Sequence, residues 1–344
     1  GAGVAVETLR TSSNGGTANL ELIKAPGEVR IKVTDSILSV ANPGVSVIQA
    51  QKAVLEAAQG SIGSAANPLQ ITLANNSSGT LTARAQDGIW IHEIGNMRVA
   101  DIYTPGSATL TATGSIFDAR AVTNFPAAGD RAVRSIEAHE LTLTALGGSV
   151  GEAGNPMVVK VGAGGVNATS ALGYSVYLQG AAGSGLNLNA VNAGFDFTAV
   201  ATGDMHHTGP VRARGSIFAE AGGDITGVMY NAGGQIVIGA GGDISGSNVT
   251  ASTGGISLAA GGDIALGSVL SNRDVAATAD GSIELTSASA GRDLNLTALG
   301  GGVQGVSWRA ANDISIWGLG DITATSVLAS AGEITMTSAD DLSV

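Results

Sequence analysis

Cysteine is absent from the chain, which removes a disulfide framework, thiolate metal sites and cysteine nucleophiles from consideration. Basic residues are scarce: 16 Lys and Arg stand against 28 Asp and Glu, for a net charge of -12. Binding to a phosphate backbone needs the opposite balance, so a nucleic-acid partner is not expected. The acidic surplus predicts solubility. Aromatic residues make up 3% of the chain, too few for a long sugar-stacking platform. No apolar run approaches the roughly 18 residues of a membrane-spanning helix, so no membrane insertion is expected. Charged residues are only 13%, yet hydrophobic ones reach 44%, the reverse of a disordered composition. Proline occurs 7 times and glycine 52 times, without the every-third-residue spacing of collagen. Residue 1 is Gly, with no basic and apolar leader after it, and the chain stops in mid-pattern at "SADDLSV". We therefore expect a piece of a longer polypeptide.

What the chain has in abundance is repetition. The acidic position of a G-D-[IM] motif falls at Asp204, Asp224, Asp243 and Asp263, becomes Ser282 and Gly302, and returns at Asp321 and Asp341. Long and short steps alternate strictly along this series, each differing from its neighbour by a single position. A second series, Ser216, Gln235, Gly255, Asp274, Asp293, Asp313 and Glu333, runs between the first at the same spacing. Within each period the apolar residues alternate, as in Ile256-x-Leu258-x-Ala260 followed by Ile264-x-Leu266. Period two is the signature of a strand, because successive side chains point to opposite faces. Each strand is short and closed by Gly or Gly-Asp.

Short strands returning with a period of roughly 20 residues predict an all-β fold: a right-handed parallel β-helix, or β-solenoid, with one coil per period. Ile225, Ile244, Ile264 and Ile283 should then stack as an interior ladder about 4.8 Å apart. Dividing the chain by the period predicts roughly 17 coils in a single elongated solenoid. Glycine at the corners is expected to supply positive φ. Residues 203–344 read as regular coils and 1–202 as less regular ones, although "AVLEAA" is a modest helix candidate. "GSIGSAANPL" at 60–69 matches "GSVGEAGNPM" at 148–157, and the Asn-Pro in each marks loops at 63–69 and 151–157. The stretch 118–135 is read as a larger excursion.

The G-[DS]-I-x-[LA] coils, the G-x-[IVL]-x-[LA]-x-A segments between them, and the recurrent "LTALGG" and "GSIG-x-A-x-NP" strings resemble the repeat region of the large bacterial exoproteins of the filamentous haemagglutinin type. The resemblance spans most of the chain and is strongest over 203–344. It implies the shaft of a secreted adhesin or contact filament at the bacterial cell surface, exported by a dedicated outer-membrane partner. It also implies contacts with neighbouring segments, with other copies of the protein, and with a host or bacterial surface. The amino-terminal secretion domain of that family has no counterpart in these residues, and no functional residue carries over by motif.

Several groups of residues could carry chemistry. Stacked Asp carboxylates are oxygen donors suited to Ca²⁺, but their wide spacing, interrupted by Ser and Gly, favours Asp accepting backbone N–H bonds at a corner. His206 and His207 could ligate a metal, yet neighbours on a strand face opposite ways, so an exposed polar pair in a turn is expected. His92 and His139 read as isolated surface or strand-edge residues. Glu93, Arg98 and Asp101, or Asp118, Arg120, Asp130, Arg131 and Arg134, form possible nuclei of a polysaccharide-cleaving site, with solvated charges as the ordinary alternative. Trp90, Trp308 and Trp317 could stack on sugar rings. Asn76-Ser77-Ser78 matches a glycosylation acceptor. The G-x-G strings lie between strands without a following helix, so they do not cradle phosphate. No catalytic, metal or cofactor residue is assigned. The expected function is structural, with a self-assembling fibre subunit and a polysaccharide lyase or glycoside hydrolase as alternatives.

Overall fold

The computed structural model describes residues 4–8, 16–42, 44–75, 79–120 and 134–344. Among them there are strands and turns but no helix, and parallel stacked strands build a β-solenoid of about 15 turns. The chain divides into two compact units, Gly1–Ala182 and Gly183–Val344.

In the second unit shorter and longer strands alternate, as in Ile256–Ala260, Ile264–Ser271, Val275–Ala279 and Ile283–Ala290. Each pairs in parallel with its equivalent one coil on, so Ile225, Ile244, Ile264 and Ile283 lie in one register column. All four are buried, and the residues between them along each strand alternate inward and outward. Burial therefore comes from like residues above and below, which lets an apolar core extend without widening.

In the first unit some circuits keep the regular period, as where Gly88 pairs with Ser107, and others are longer. Glu28 pairs with Lys52, Lys52 with Thr80, and Ser107 with Glu140, and each of these separations exceeds the regular period of the second unit. Loops add residues without adding a rung, which is why the solenoid has fewer turns than the roughly 17 expected from the period alone. One such departure covers 63–68, where no strand forms. Another, at 151–156, folds back through paired bonds between Glu152 and Asn155 (3.1 and 3.0 Å). Residues 121–133, the middle of the excursion expected at 118–135, lie outside the described residues. "AVLEAA" belongs to the strand Lys52–Ala57, where Ala53, Leu55 and Ala57 point inward; alternation overrides its helix propensity.

The corners explain the repeated tetrapeptide. The Asp204 carboxylate accepts the backbone N–H of Asp224 (3.0 Å), Asp224 that of Asp243 (2.8 Å), Asp243 that of Asp263 (2.7 Å) and Asp263 that of Ser282 (2.6 Å). Each carboxylate thus reaches the next coil and satisfies a donor at the start of its strand. The second series behaves the same way, with Asp293 accepting from Asp313 (3.2 Å) and Asp313 from Glu333 (2.8 Å).

The glycine before each of these positions makes this possible by lacking a Cβ. At Gly223, Gly242, Gly262 and Gly281 an added Cβ would lie under 3.0 Å from the carboxylate oxygen of Asp204, Asp224, Asp243 and Asp263 respectively. None of these glycines has positive φ, contrary to the expectation for the corners. Positive φ falls at other glycines, among them Gly63 and Gly151, the equivalent glycines of the two matching loop motifs (φ 67° and 70°), and Gly95 (φ 136°), which precedes Asn96, whose Oδ1 accepts the Ser115 N–H at an equivalent corner. The four glycines of the Asp ladder serve close approach, not a left-handed backbone.

Substitutions on either side of this boundary should separate cleanly. Ile264→Asp puts an unpaired charge inside the stack and should cost about 3 to 5 kcal/mol, whereas Asp263→Ala loses one corner bond and should cost about 1 kcal/mol. Denaturant melts of both variants check the assignment. Gly262→Ala should also destabilise, and part of that loss should vanish in the Gly262→Ala, Asp243→Ala double variant, because the clash and the ladder bond share one carboxylate.

Candidate functional site

With the corner carboxylates engaged by backbone amides, the Asp series is a structural ladder. Among the described residues no three His, Cys, Asp or Glu side chains are placed to share a metal ion.

His206 and His207 lie in the strand Met205–His207, not in a turn. His206 is exposed and bonds Thr226 Oγ1 through Nδ1 at 2.7 Å. His207 is buried, a correction to the expected exposed pair that follows from strand alternation at this position. Its Nδ1 lies 3.1 Å from the Thr226 carbonyl and its Nε2 2.8 Å from the Tyr230 hydroxyl. A carbonyl only accepts, so Nδ1 carries the proton and Nε2 accepts from Tyr230. The two rings meet edge to face with centroids 5.0 Å apart. Burial, reinforced by the neighbouring His206, lowers the His207 pKa to about 4, and burial pushes the Tyr230 hydroxyl well above its ordinary range. The pair is thereby held neutral, sealed inside the coil and out of reach of substrate.

Glu93, Arg98 and Asp101 do not converge. Glu93 is fully buried at the end of the strand Gly88–Glu93. Its Oε1 accepts the Leu73 N–H at 2.8 Å, while Oε2 has no hydrogen-bond partner. Burial raises its pKa to about 8, opposed by the Leu73 bond. Arg98 lies over the Phe117 ring, 5.6 Å from its centroid, and Asp101 pairs with Arg84 at 2.6 Å. One member is inside the coil and two are occupied on its surface. His92 is half-buried and His139 exposed.

The described members of the second charged group flank residues 121–133 in the chain. Asp118, also buried, accepts the Ser135 hydroxyl and the Arg120 N–H (2.8 Å), and its carbonyl accepts Asn155 Nδ2 (2.9 Å). It links Arg120 and Ser135, on either side of residues 121–133 in sequence, to the loop at 151–156. Burial raises its pKa, against the pull of Arg120. Glu137 is clasped by Arg134 and Lys160 (3.2 Å to Lys160). Beside it a recess of about 270 Å³ is lined by Tyr103, Pro105, His139 and Lys160. Neither carboxylate is free to act on a glycosidic bond, since both are held by their own neighbours. Asp130 and Arg131 fall outside the described residues, as does Asn76-Ser77-Ser78.

The tryptophans separate. Trp308 is fully buried and donates from Nε1 to the Leu285 carbonyl (3.1 Å), which removes it from any sugar platform. Trp90 is half-buried and Trp317 exposed, in different units. A Cβ at Gly305 would collide with the Trp308 indole, so the "GVSW" string couples a glycine to the buried aromatic that closes it. "GVMY" at 227–230 has the same form around Tyr230. These G-V-x-aromatic strings are the legible signal for the two largest interior side chains.

No protein-family model, curated protein or solved structure matches the chain.

Glu93 and His207 give opposite pH signatures. The Glu93 pKa is raised in the fold, so its contribution is intact below about 4.5 and is lost as pH rises through about 8. Glu93→Gln should therefore melt higher than the parent at pH 9 and nearly level with it at pH 5. The His207 pKa is depressed, so stability is lost as pH falls from 6.5 through about 4. Urea melts should show the parent's advantage over His207→Leu shrinking across that interval.

Proposed function

We propose that this chain is a shaft segment of a large secreted bacterial surface protein of the filamentous haemagglutinin type, and that its work is mechanical. The observation that supports this reading best is the corner ladder: in addition to parallel backbone pairing, a carboxylate from one coil bonds the amide of the next, coil after coil. Separating coils means breaking the strand ladder, the side-chain bond and the apolar stack together, so load is shared across each interface. The absence of cysteine suits a shaft that gains its rigidity without oxidation. The resemblance of the G-[DS]-I-x-[LA] coils supplies the setting: the bacterial cell surface, with neighbouring segments or copies of the same protein and a host or bacterial surface as partners. Loops off the coil, where insertions do not disturb the stack, are the places for specific contacts.

Immunogold labelling of the producing bacterium with antibody against this chain tests the proposal. Label on thin surface filaments is expected, and label confined to the cytoplasm would refute it. Purified protein incubated with polyuronates should release no unsaturated or reducing sugars; steady release would instead favour the polysaccharide-cleaving alternative.

A further inference from the structure

One outward column of the first unit carries an ordered run of charge. Register pairs place Lys32 beside Glu56, Glu56 beside Arg84, Arg84 beside Tyr103, Tyr103 beside Glu137 and Glu137 beside Lys160 on successive coils. Read along the column the charges are plus, minus, plus, aromatic, minus, plus, with one step of about 4.8 Å per coil. The column is not a generic property of solenoid faces. The corresponding outward run Glu220, Gly239, Ala259, Thr278, Thr297, Trp317 in the second unit bears a single charge.

The order has a symmetry centred on Tyr103. One coil away on either side stand Arg84 and Glu137, and two coils away Glu56 and Lys160. Reversing the column about Tyr103 therefore lays the four central charges on their opposites, Glu56 on Lys160 and Arg84 on Glu137, and the two again in the other half, while Lys32 falls beyond the matched run. We infer that this face is a two-fold docking surface for a second copy of the chain, laid antiparallel, with Tyr103 against Tyr103 at the axis.

The match between spacing and sign identifies the occupant. A same-direction copy in register would place like charge on like, which opposes pairing. The register column continues to Glu7 beside Lys32, so a one-coil stagger matches as many charge pairs but leaves the interface open-ended, whereas the reversed copy closes on itself. The charges are accessible for this. Their present partners within the chain, Lys32 to Glu56 at 3.2 Å, Arg84 to Asp101 at 2.6 Å and Lys160 to Glu137 at 3.2 Å, are surface pairs. Such pairs hold their side chains weakly, and of these residues only Glu137 has a further partner among the described residues, the more buried Arg134. The reversed copy adds a further counter-charge to each of the four central residues, Glu137 being already clasped by both Arg134 and Lys160. The recess beside Tyr103 and Glu137 lies at the symmetry centre and offers room for side chains of the opposing copy. Because the face is a few coils long and one column deep, the association is of the small, electrostatically steered kind, sensitive to salt. It does not depend on the shaft reading.

Sedimentation equilibrium of the whole chain and two charge reversals, Glu56→Lys and Lys160→Glu, tests the assignment. In low salt the parent should dimerise, and at about 1 M salt, where the Debye length falls to about 3 Å, association should weaken at least about tenfold. Each reversal alone should leave a folded monomer that melts slightly lower than the parent, since it also sets like charges side by side within the column. Mixed in equal amounts, the two variants should dimerise with each other, because each new charge then faces its opposite in the partner. The one-coil stagger offers no such full rescue. A parent that stays monomeric in low salt, single variants that dimerise like the parent, or a mixture that stays monomeric would each overturn the inference.

Discussion

Each coil must be the template of the next. In a parallel stack the environment of a side chain is made by its own equivalents one coil above and one below, so shape, polarity and hydrogen-bond register repeat or the ladder fails. The corner shows how strict this is. An Asp carboxylate of one coil occupies the space that a Cβ would fill on the following coil, and takes the amide of the residue after that glycine. The Gly and the Asp of the repeat are therefore one device distributed over two coils. Apolar ladders inside and carboxylate ladders at the corners are the same rule applied to different chemistry.

Where that rule relaxes, residues become available for other purposes. The first unit adds loops at 63–68 and 151–156 while keeping its strands in register on either side. Buried polar groups sit near these departures. Asp118 accepts from Arg120 and Ser135, on either side of residues 121–133, and Glu93 caps a strand by accepting the Leu73 amide. On the outside, the first unit bears the alternating charges and the second presents mostly small uncharged side chains. Long-range charge on a face with few aromatics favours weak, oriented contact over a deep ligand pocket.

The regular half of the fold is legible in the sequence because its signal is doubly redundant. Ile264 is inward both by alternation within its strand and by periodicity from Ile244 to Ile283, and either alone would place it. The polar residues are not legible in the same way. Glu93 and Asp118 read as surface charges because a buried carboxylate is improbable on composition, and nothing local shows that a Leu73 amide or a Ser135 hydroxyl will be waiting. The expectation for His207 fails for a related reason: "DMHHTGP" resembles a turn, and the Tyr230 that accommodates the imidazole lies more than a full coil later. For the glycines of the Asp ladder the expectation has the right place and the wrong cause, since close approach and positive φ select the same residue.

The sequence by itself determined the strand period, the one-coil repeat and the identity of the interior ladder, since these are translational properties that a linear chain displays directly. Tertiary structure alone decided which carboxylates are buried, which glycines make room for a neighbour's side chain, and that Glu56, Arg84, Tyr103, Glu137 and Lys160 share one column. Loops of unequal length separate those five in the chain, so their alignment exists only once the coils have closed and backbone pairing has set the register.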